Sequence, residues 1–420
     1  MKLHHLLFYF LILFLPTQLG RHFWPDWAQI YGIRIDYLSP TIYLTDILIL
    51  GILGLWGVEK LKSPAFAKAS AGRQNSKILI FLAFITIFLL INISFSQNLG
   101  VAFYKLIKIL ELGFLGFYIA QNITRISQHR NTIAFLSFGI IYQSLIAIFQ
   151  FLKQGSLGGI FWFLGERTFN AGTPGIAQVV LDGRLVLRPY ATFPHPNVLG
   201  GFLAVTLPLL VLLPPRLRFF PFILGTIALF LTFSRSSWLV FGLSLSVYGL
   251  WFLRKNWSLV VRRWKLIILL VFIGSILFFP TTKSFQSLTK LQPESIKYRQ
   301  DLNLAAIKMI KDSPLFGVGL GNFLVRLPEF YQEKGPVRFF QPTHNVYLLI
   351  AAETGLVGLG LFLWFLILTY KRLLTANYQL LIALSAILVL GFFDHYFYTL
   401  QQGQLLFTLL LGLAWSSVLK

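Results

Sequence analysis

Ser234-Arg235-Ser236-Ser237 stands between two strongly apolar runs, so short a break that the arginine is pinned near a membrane surface if those runs cross one. An arginine in such a place either snorkels to the interface or grips an anion. The hydroxyls of Ser234, Ser236 and Ser237 favour the anion, because a snorkelling side chain needs none of them. A second candidate is Pro342-Thr343-His344-Asn345, where a long polar stretch meets the next apolar run. His344 titrates near neutral pH, so it can take or hold a proton. Glu353 lies farther along the same run, and pairing with a basic residue to fix helices is its expected task. Lys105, Lys108 and Glu111 recur at i, i+3 and i+6, along one stripe of a helix. Lys108 can pair with Glu111, which leaves Lys105 for a second partner or for an anion in a cavity. Asp394-His395 reads as a polar rim of open role.

Other chemistries drop out. The chain has no Cys, which removes disulfides, thiolate metal sites, thiol catalysis and iron–sulfur clusters. Gly317-Val-Gly-Leu-Gly321 imitates a nucleotide loop, but Asn322 breaks the G-x-G-x-x-G spacing and no Walker lysine follows. It reads as a turn that folds the chain back toward the membrane. Along the sequence the His and acidic residues show no metal-ligand spacing, so neither a metal nor another cofactor is expected.

These residues need elements to hold them. Hydrophobic types make up 56% of the 420 residues and charged types 12%. Soluble domains run nearer about a quarter charged, so this chain cannot clothe a water-facing surface. Apolar runs approaching the roughly 20 residues that cross about 30 Å of hydrocarbon begin near Leu6, Leu44, Ile78, Val101, Thr132 and Val198. Six more begin near Phe219, Ser237, Leu266, Val346, Leu380 and Leu405. They lack period-2 alternation, and spanning backbone must satisfy its own hydrogen bonds, so they are predicted to be helices. The expected fold is all-α, a polytopic transmembrane bundle of about twelve spans.

Lys and Arg orient it. With the N-terminus inside, the basic residues between Lys2 and Lys420 that flank the spans gather in cytoplasmic connections, opposed there only by Glu59. On the other side, residues 94–100 and 394–404 carry no Lys or Arg. Both termini are therefore expected in the cytoplasm of a cell whose plasma membrane the chain spans many times. Most of the formal charge of +22 is a topology signal, and nucleic acid is not an expected partner. Lys2 and the run after it read as a retained first span, since no small-x-small site follows. Residues 63–76 have the composition of a flexible cytoplasmic linker.

Two connections, residues 153–196 and 280–343, are much longer than the rest, and both fall outside. Loops beyond about 12–15 residues usually carry function or are disordered. In the second, residues 295–312 pattern as an amphipathic helix with Leu302, Ala305, Ala306 and Met309 on one face, stopped by Ser313-Pro314. This mildly basic outer cap suits an anionic lipid-linked substrate better than a neutral solute.

Four stretches, in order, resemble the bacterial O-antigen ligase and polymerase superfamily of polytopic membrane glycosyltransferases. They are Arg188-Pro-Tyr-Ala-Thr-Phe-Pro-His-Pro-Asn197, Thr232-Phe-Ser-Arg-Ser-Ser-Trp238, Arg299 through Pro314-Leu-Phe-Gly-Val-Gly-Leu-Gly321, and Thr343-His-Asn-Val-Tyr347 followed by Glu353-Thr-Gly-Leu-Val-Gly358. The chain divides accordingly into N-terminal spans with the first long loop (1–187), a ligase-like core holding the loop 280–343 (188–370), and C-terminal spans (371–420). The resemblance implies metal-independent, inverting transfer of a glycan from an undecaprenyl pyrophosphate carrier to a lipid, glycan or protein acceptor, at the outer face of the plasma membrane. It also implies that Arg235 and Arg299, and less directly Arg188, hold the pyrophosphate, while His344 serves the acceptor hydroxyl. Lys105 and Lys108 join them as substrate contacts on the residue reading alone, with Glu353, Asn345, Ser234 and Ser236 in support. Repeat-unit polymerases and protein O-oligosaccharyltransferases share these motifs. A secondary transporter is the alternative from another class, but the two halves show no internal symmetry of interrupted helices. An enzyme should gather Arg235, Arg299 and His344 at one external cavity.

Overall fold

The computed structural model describes residues 2–62, 76–181, 183–255, 293–331 and 340–416. The predicted ninth span, from Leu266, and nearly all of the 63–76 linker lie outside the described residues. Elsewhere the apolar runs are helical. Helices α1 (Leu3–Phe14) and α2 (Leu44–Leu61) flank a connection folded into small antiparallel pairings, β1 (Gly20–His22) with β4 (Thr41–Tyr43) and β2 (Gln29–Ile30) with β3 (Ile33–Arg34). Next come α3 (Ser76–Ser94), α4 (Leu99–Asn122) and α5 (Ile126–Lys153), and then the hairpin β5 (Gln178–Leu181) and β6 (Arg184–Leu187). Helices α6 (Pro196–Thr206), α7 (Pro215–Leu231) and α8 (Arg235–Lys255) lead to the second long loop, which contributes α9 (Pro293–Asp312) and α10 (Phe323–Phe330). The chain closes with α11 (Val346–Ala376), α12 (Tyr378–Leu390), the single turn α13 (Tyr396–Thr399) and α14 (Gln401–Ala414). Among the described residues, α5 and α11 are long and apolar enough to cross a membrane by length and composition. The fold is mostly α-helical as expected, and the hairpins are additions that the sequence reading did not make.

One core joins the helices through Phe8, Leu115, Tyr118, Ile140, Phe202, Leu384 and Leu409. A second gathers under the connecting segments, where Leu302, Ala305, Ala306 and Met309 of α9 meet Ala28, Leu38, Phe323 and Leu349. The face of α9 that the pattern marks as apolar is thus the face it buries, and it docks on both the first connection and α11.

Helix α11 is interrupted. Gly355 has φ 68° and ψ −177°, and a β-carbon there would stand 2.1 Å from the Leu315 carbonyl oxygen. Into this break comes the glycine run. The Val318 N–H donates to the Ala352 carbonyl at 2.8 Å, and the Leu356 N–H donates to the Pro314 carbonyl at 2.8 Å. Asn92 of α3 closes the seam: its Nδ2 donates to the carbonyls of Phe316 (2.6 Å) and Glu353 (2.9 Å), and its Oδ1 accepts from Leu320 N–H (2.9 Å). Non-helical backbone at membrane depth is tolerated where protein satisfies it. The turn expected from the glycine run is therefore present, and it plugs a broken helix.

Candidate active site

A cavity of about 660 Å³ opens where the connecting segments meet the helix ends. Its walls include Lys105 of α4, His195 and Asn197 at the start of α6, Arg299 of α9, His344 before α11, and Asp394-His395 before α13. The roof is the connection between α1 and α2, through His22, Arg34, Asp36 and Tyr37. The sequence reading singled out only two long loops and missed this one, although its length and its mixture of Trp, Arg, His and Asp are both legible signals.

His344 sits one residue ahead of the Asn345 cap, whose Oδ1 accepts from the Leu348 N–H at 3.0 Å and starts α11. Thr343 is tied to Asn303 of α9 by a side-chain hydrogen bond, so the large loop fixes the approach to His344. The His344 and His395 rings meet edge to face with centroids 5.3 Å apart. Ligand atoms of His344, Asp394 and His395 all lie within 4.8 Å of one another. Linear spacing shows no such set, because the helices that bring it together are tertiary neighbours.

Charge states follow from burial and neighbours. Burial lowers His344, with Asp394 raising it and Arg299 lowering it. Burial also drives His395 down to about 3 and His195 to about 3. For Asp394, burial pushes upward, but His395, His344 and Arg299 together leave it below the usual carboxylate range. At neutral pH this is a carboxylate beside neutral imidazoles, and a neutral imidazole can accept a proton.

The arginines divide into two roles. Arg299 lines the cavity and makes no ion pair within 4.0 Å among the described residues. Arg188 is turned inward: its Nε donates to the Thr232 carbonyl at 2.7 Å and its Nη2 to Asn197 Oδ1 at 2.6 Å. It therefore braces the turn before Arg235, a turn in which Phe233 takes φ 51°. Burial pulls Arg188 down to about 10, and the charges of Arg235 and Arg299 act in the same direction. Arg235 opens α8 on an exposed position and is not in the wall of the cavity, so the cavity gathers Arg299 and His344 but not Arg235, contrary to expectation; the charge of Arg235 reaches Arg188. Ser234 and Ser237 are buried and bonded to each other at 2.8 Å, and Ser236 lies 3.5 Å from Ser234. The Ser234 and Ser237 hydroxyls thus bond each other within the turn.

Of the two lysines, Lys108 is occupied. Its Nζ stands 2.8 Å from Asp46 and 2.8 Å from Glu111, a larger set than the Lys108–Glu111 pair expected. Lys105 donates to the Tyr398 carbonyl at 2.6 Å and lies 4.0 Å above that ring. The Tyr398 hydroxyl in turn donates to Glu353 at 2.9 Å. Glu353 thus accepts from Tyr398 rather than pairing directly with a basic residue.

Residues 220–363 match the family model for O-antigen ligase. The match places this segment in the O-antigen ligase and polymerase superfamily, whose members are glycosyltransferase-type integral membrane proteins. It contains the motifs with Arg235, Arg299, His344 and Glu353, whereas the Arg188–Asn197 stretch precedes it. No curated protein matches the chain.

Proposed function

We propose that the chain transfers a glycan from an undecaprenyl pyrophosphate carrier to an acceptor hydroxyl at the outer face of the plasma membrane, with inversion and without a metal. The supporting observation is the convergence of Arg299, His344 and Asp394 on one cavity beside the Arg188–Arg235 turn. His344 accepts the acceptor's hydroxyl proton, and Asp394 stabilises the imidazolium formed. The acceptor oxygen attacks the anomeric carbon from the face opposite the phosphate. The anomeric C–O bond breaks, and its electron pair leaves with the lipid pyrophosphate. Arg299 and Arg235 meet the charge that grows there, a task a metal performs elsewhere; guanidinium forks match phosphate oxygens bidentately. Lys105 adds a further cation to the same cavity. Ligation to lipid, polymerisation of repeat units and protein O-glycosylation all use this chemistry, and ligation is the form proposed.

The proposed topology has about twelve spans and both termini inside. Reporters fused after Ser156 or Lys290 should then be extracytoplasmic, and one after Gly72 cytoplasmic. The test of function is transfer by purified protein from a synthetic lipid-pyrophosphate oligosaccharide. Transport of that donor across a sealed vesicle with no new glycosidic bond would favour the transporter class instead.

A further inference from the structure

We propose that His344, Asp394 and His395 form a binding site for a divalent transition-metal ion of the zinc class, and that its occupation blocks the site. The inhibitory part rests on the proton-accepting role given to His344 above; the binding part does not.

Two imidazoles and a carboxylate are ligands that zinc takes readily, and three protein ligands with an open fourth position are a common arrangement for it. The three ligand atoms already lie within 4.8 Å of one another. Ligands of tetrahedral zinc stand about 3.3 Å apart, so closing the set needs a contraction of roughly 1.5 Å in the widest pair. His344 Nδ1 is buried without a hydrogen-bond partner. An unsatisfied buried nitrogen needs an explanation, and an absent ligand is one of the few available. The surroundings orient the other two groups in the manner of outer-shell partners. His395 Nδ1 is bonded to Thr399 Oγ1 at 2.7 Å, which leaves Nε2 for an ion. Asp394 Oδ1 accepts from the His395 N–H at 2.8 Å, which leaves the second oxygen. All three residues line the cavity, so water or a substrate hydroxyl can fill the fourth position.

Arg299 opposes the ion. Its guanidinium acts electrostatically on His344, Asp394 and His395 alike, so affinity should fall short of a permanent structural zinc. This fits reversible occupation in a protein whose transfer needs no metal. A metal on His344 takes the lone pair that would accept the hydroxyl proton, so the same residue cannot ligate and act as base at once. A chelator should thus leave transfer intact, and zinc should stop it.

The experiment uses the full chain, purified in detergent without a polyhistidine tag, and titrated with cobalt(II) as a spectroscopic probe. A tetrahedral cobalt absorption band in the visible is expected, displaced by zinc and lost in both His395→Ala and His395→Gln. Thermal unfolding of each variant checks the fold, and His395→Gln decides if His395→Ala is unstable. In the transfer assay, zinc should abolish wild-type turnover reversibly on chelation, while His395→Gln should keep its own metal-free rate in zinc. Absence of the cobalt band in the wild type overturns the site, as does a band unchanged in both variants. A band present and His395-dependent in a protein without transfer activity would uphold the site and refute the glycosyltransferase reading instead.

Discussion

Lys108 and Arg299 are both cations at one cavity, yet the protein treats them in opposite ways. Lys108 sits between Asp46 and Glu111, and Asp46 is held in turn by Gln401 of α14. Both of its recorded hydrogen bonds go to carboxylates, so its charge is already matched. Arg299 is exposed, and no carboxylate pairs with it among the described residues. The same contrast separates Glu353, satisfied by Tyr398 and locked into the glycine seam, from His344, which has an orphaned nitrogen. In a membrane protein an unpaired buried charge is costly, and Lys108 is spared that cost by two carboxylates, whereas the cavity leaves Arg299 without a carboxylate partner and His344 with an unpartnered nitrogen. Lys105 lies between the two cases, with one carbonyl partner and an ammonium that has further donors facing the cavity.

The contrast breaks if scaffold and site respond alike to substitution. The largest expected effect is at the scaffold: Lys108→Ala strands two buried carboxylates, and breaking such a pair typically costs about 3–5 kcal/mol. Little folded protein should be recovered, and normal thermal unfolding of this variant would refute the assignment. Gly355→Ala should also destabilise the fold, because a β-carbon meets the Leu315 carbonyl at 2.1 Å and the residue must adopt positive φ. Next comes the site. Arg299→Ala or His344→Ala should lose about 3 kcal/mol of transition-state stabilisation, on the order of a hundredfold in rate, with unfolding unchanged. Arg188→Ala should lose activity and loosen the Arg235 turn together, since it ties the Thr232 carbonyl of that turn to Asn197 of the cavity wall.

A subtler effect is in pH. Burial lowers the pKa of His344 below 6.5, and the proton acceptor must be the neutral form. Activity should therefore hold as pH falls through 6.5 and decline only below it, a limb absent from the residual activity of His344→Gln. The smallest effect is expected for Lys105→Gln, a several-fold rise in donor KM with little change in kcat, measured by steady-state kinetics. A collapse of the fold in that variant would move Lys105 to the scaffold side.

Much of this division was legible in the chain. The α9 face was written in Leu302, Ala305, Ala306 and Met309, and the turn at Gly317–Gly321 in a glycine run that no nucleotide motif fits. Arg235 and His344 were marked by their places at the ends of apolar runs, and Arg299 by the resemblance of its stretch to the ligase and polymerase superfamily. What local pattern cannot carry is convergence. His344 and Asp394-His395 belong to different helix ends, and nothing in their linear spacing brings them within reach. Nor does the sequence distinguish Arg188, which holds a turn, from Arg299, which faces the cavity; both are arginines in polar motifs. The connection between α1 and α2 is hard to read from the sequence because it lies between two strong apolar runs and its strands are only two or three residues long.

The most direct test is glycan transfer by the purified chain from a lipid-pyrophosphate donor to a hydroxyl acceptor in the presence of a chelator. The account predicts a product of inverted anomeric configuration from the wild type, and almost none from Arg299→Ala or His344→Ala at unchanged thermal stability. Transfer that vanishes with the chelator, or that persists undiminished in both variants, would contradict it.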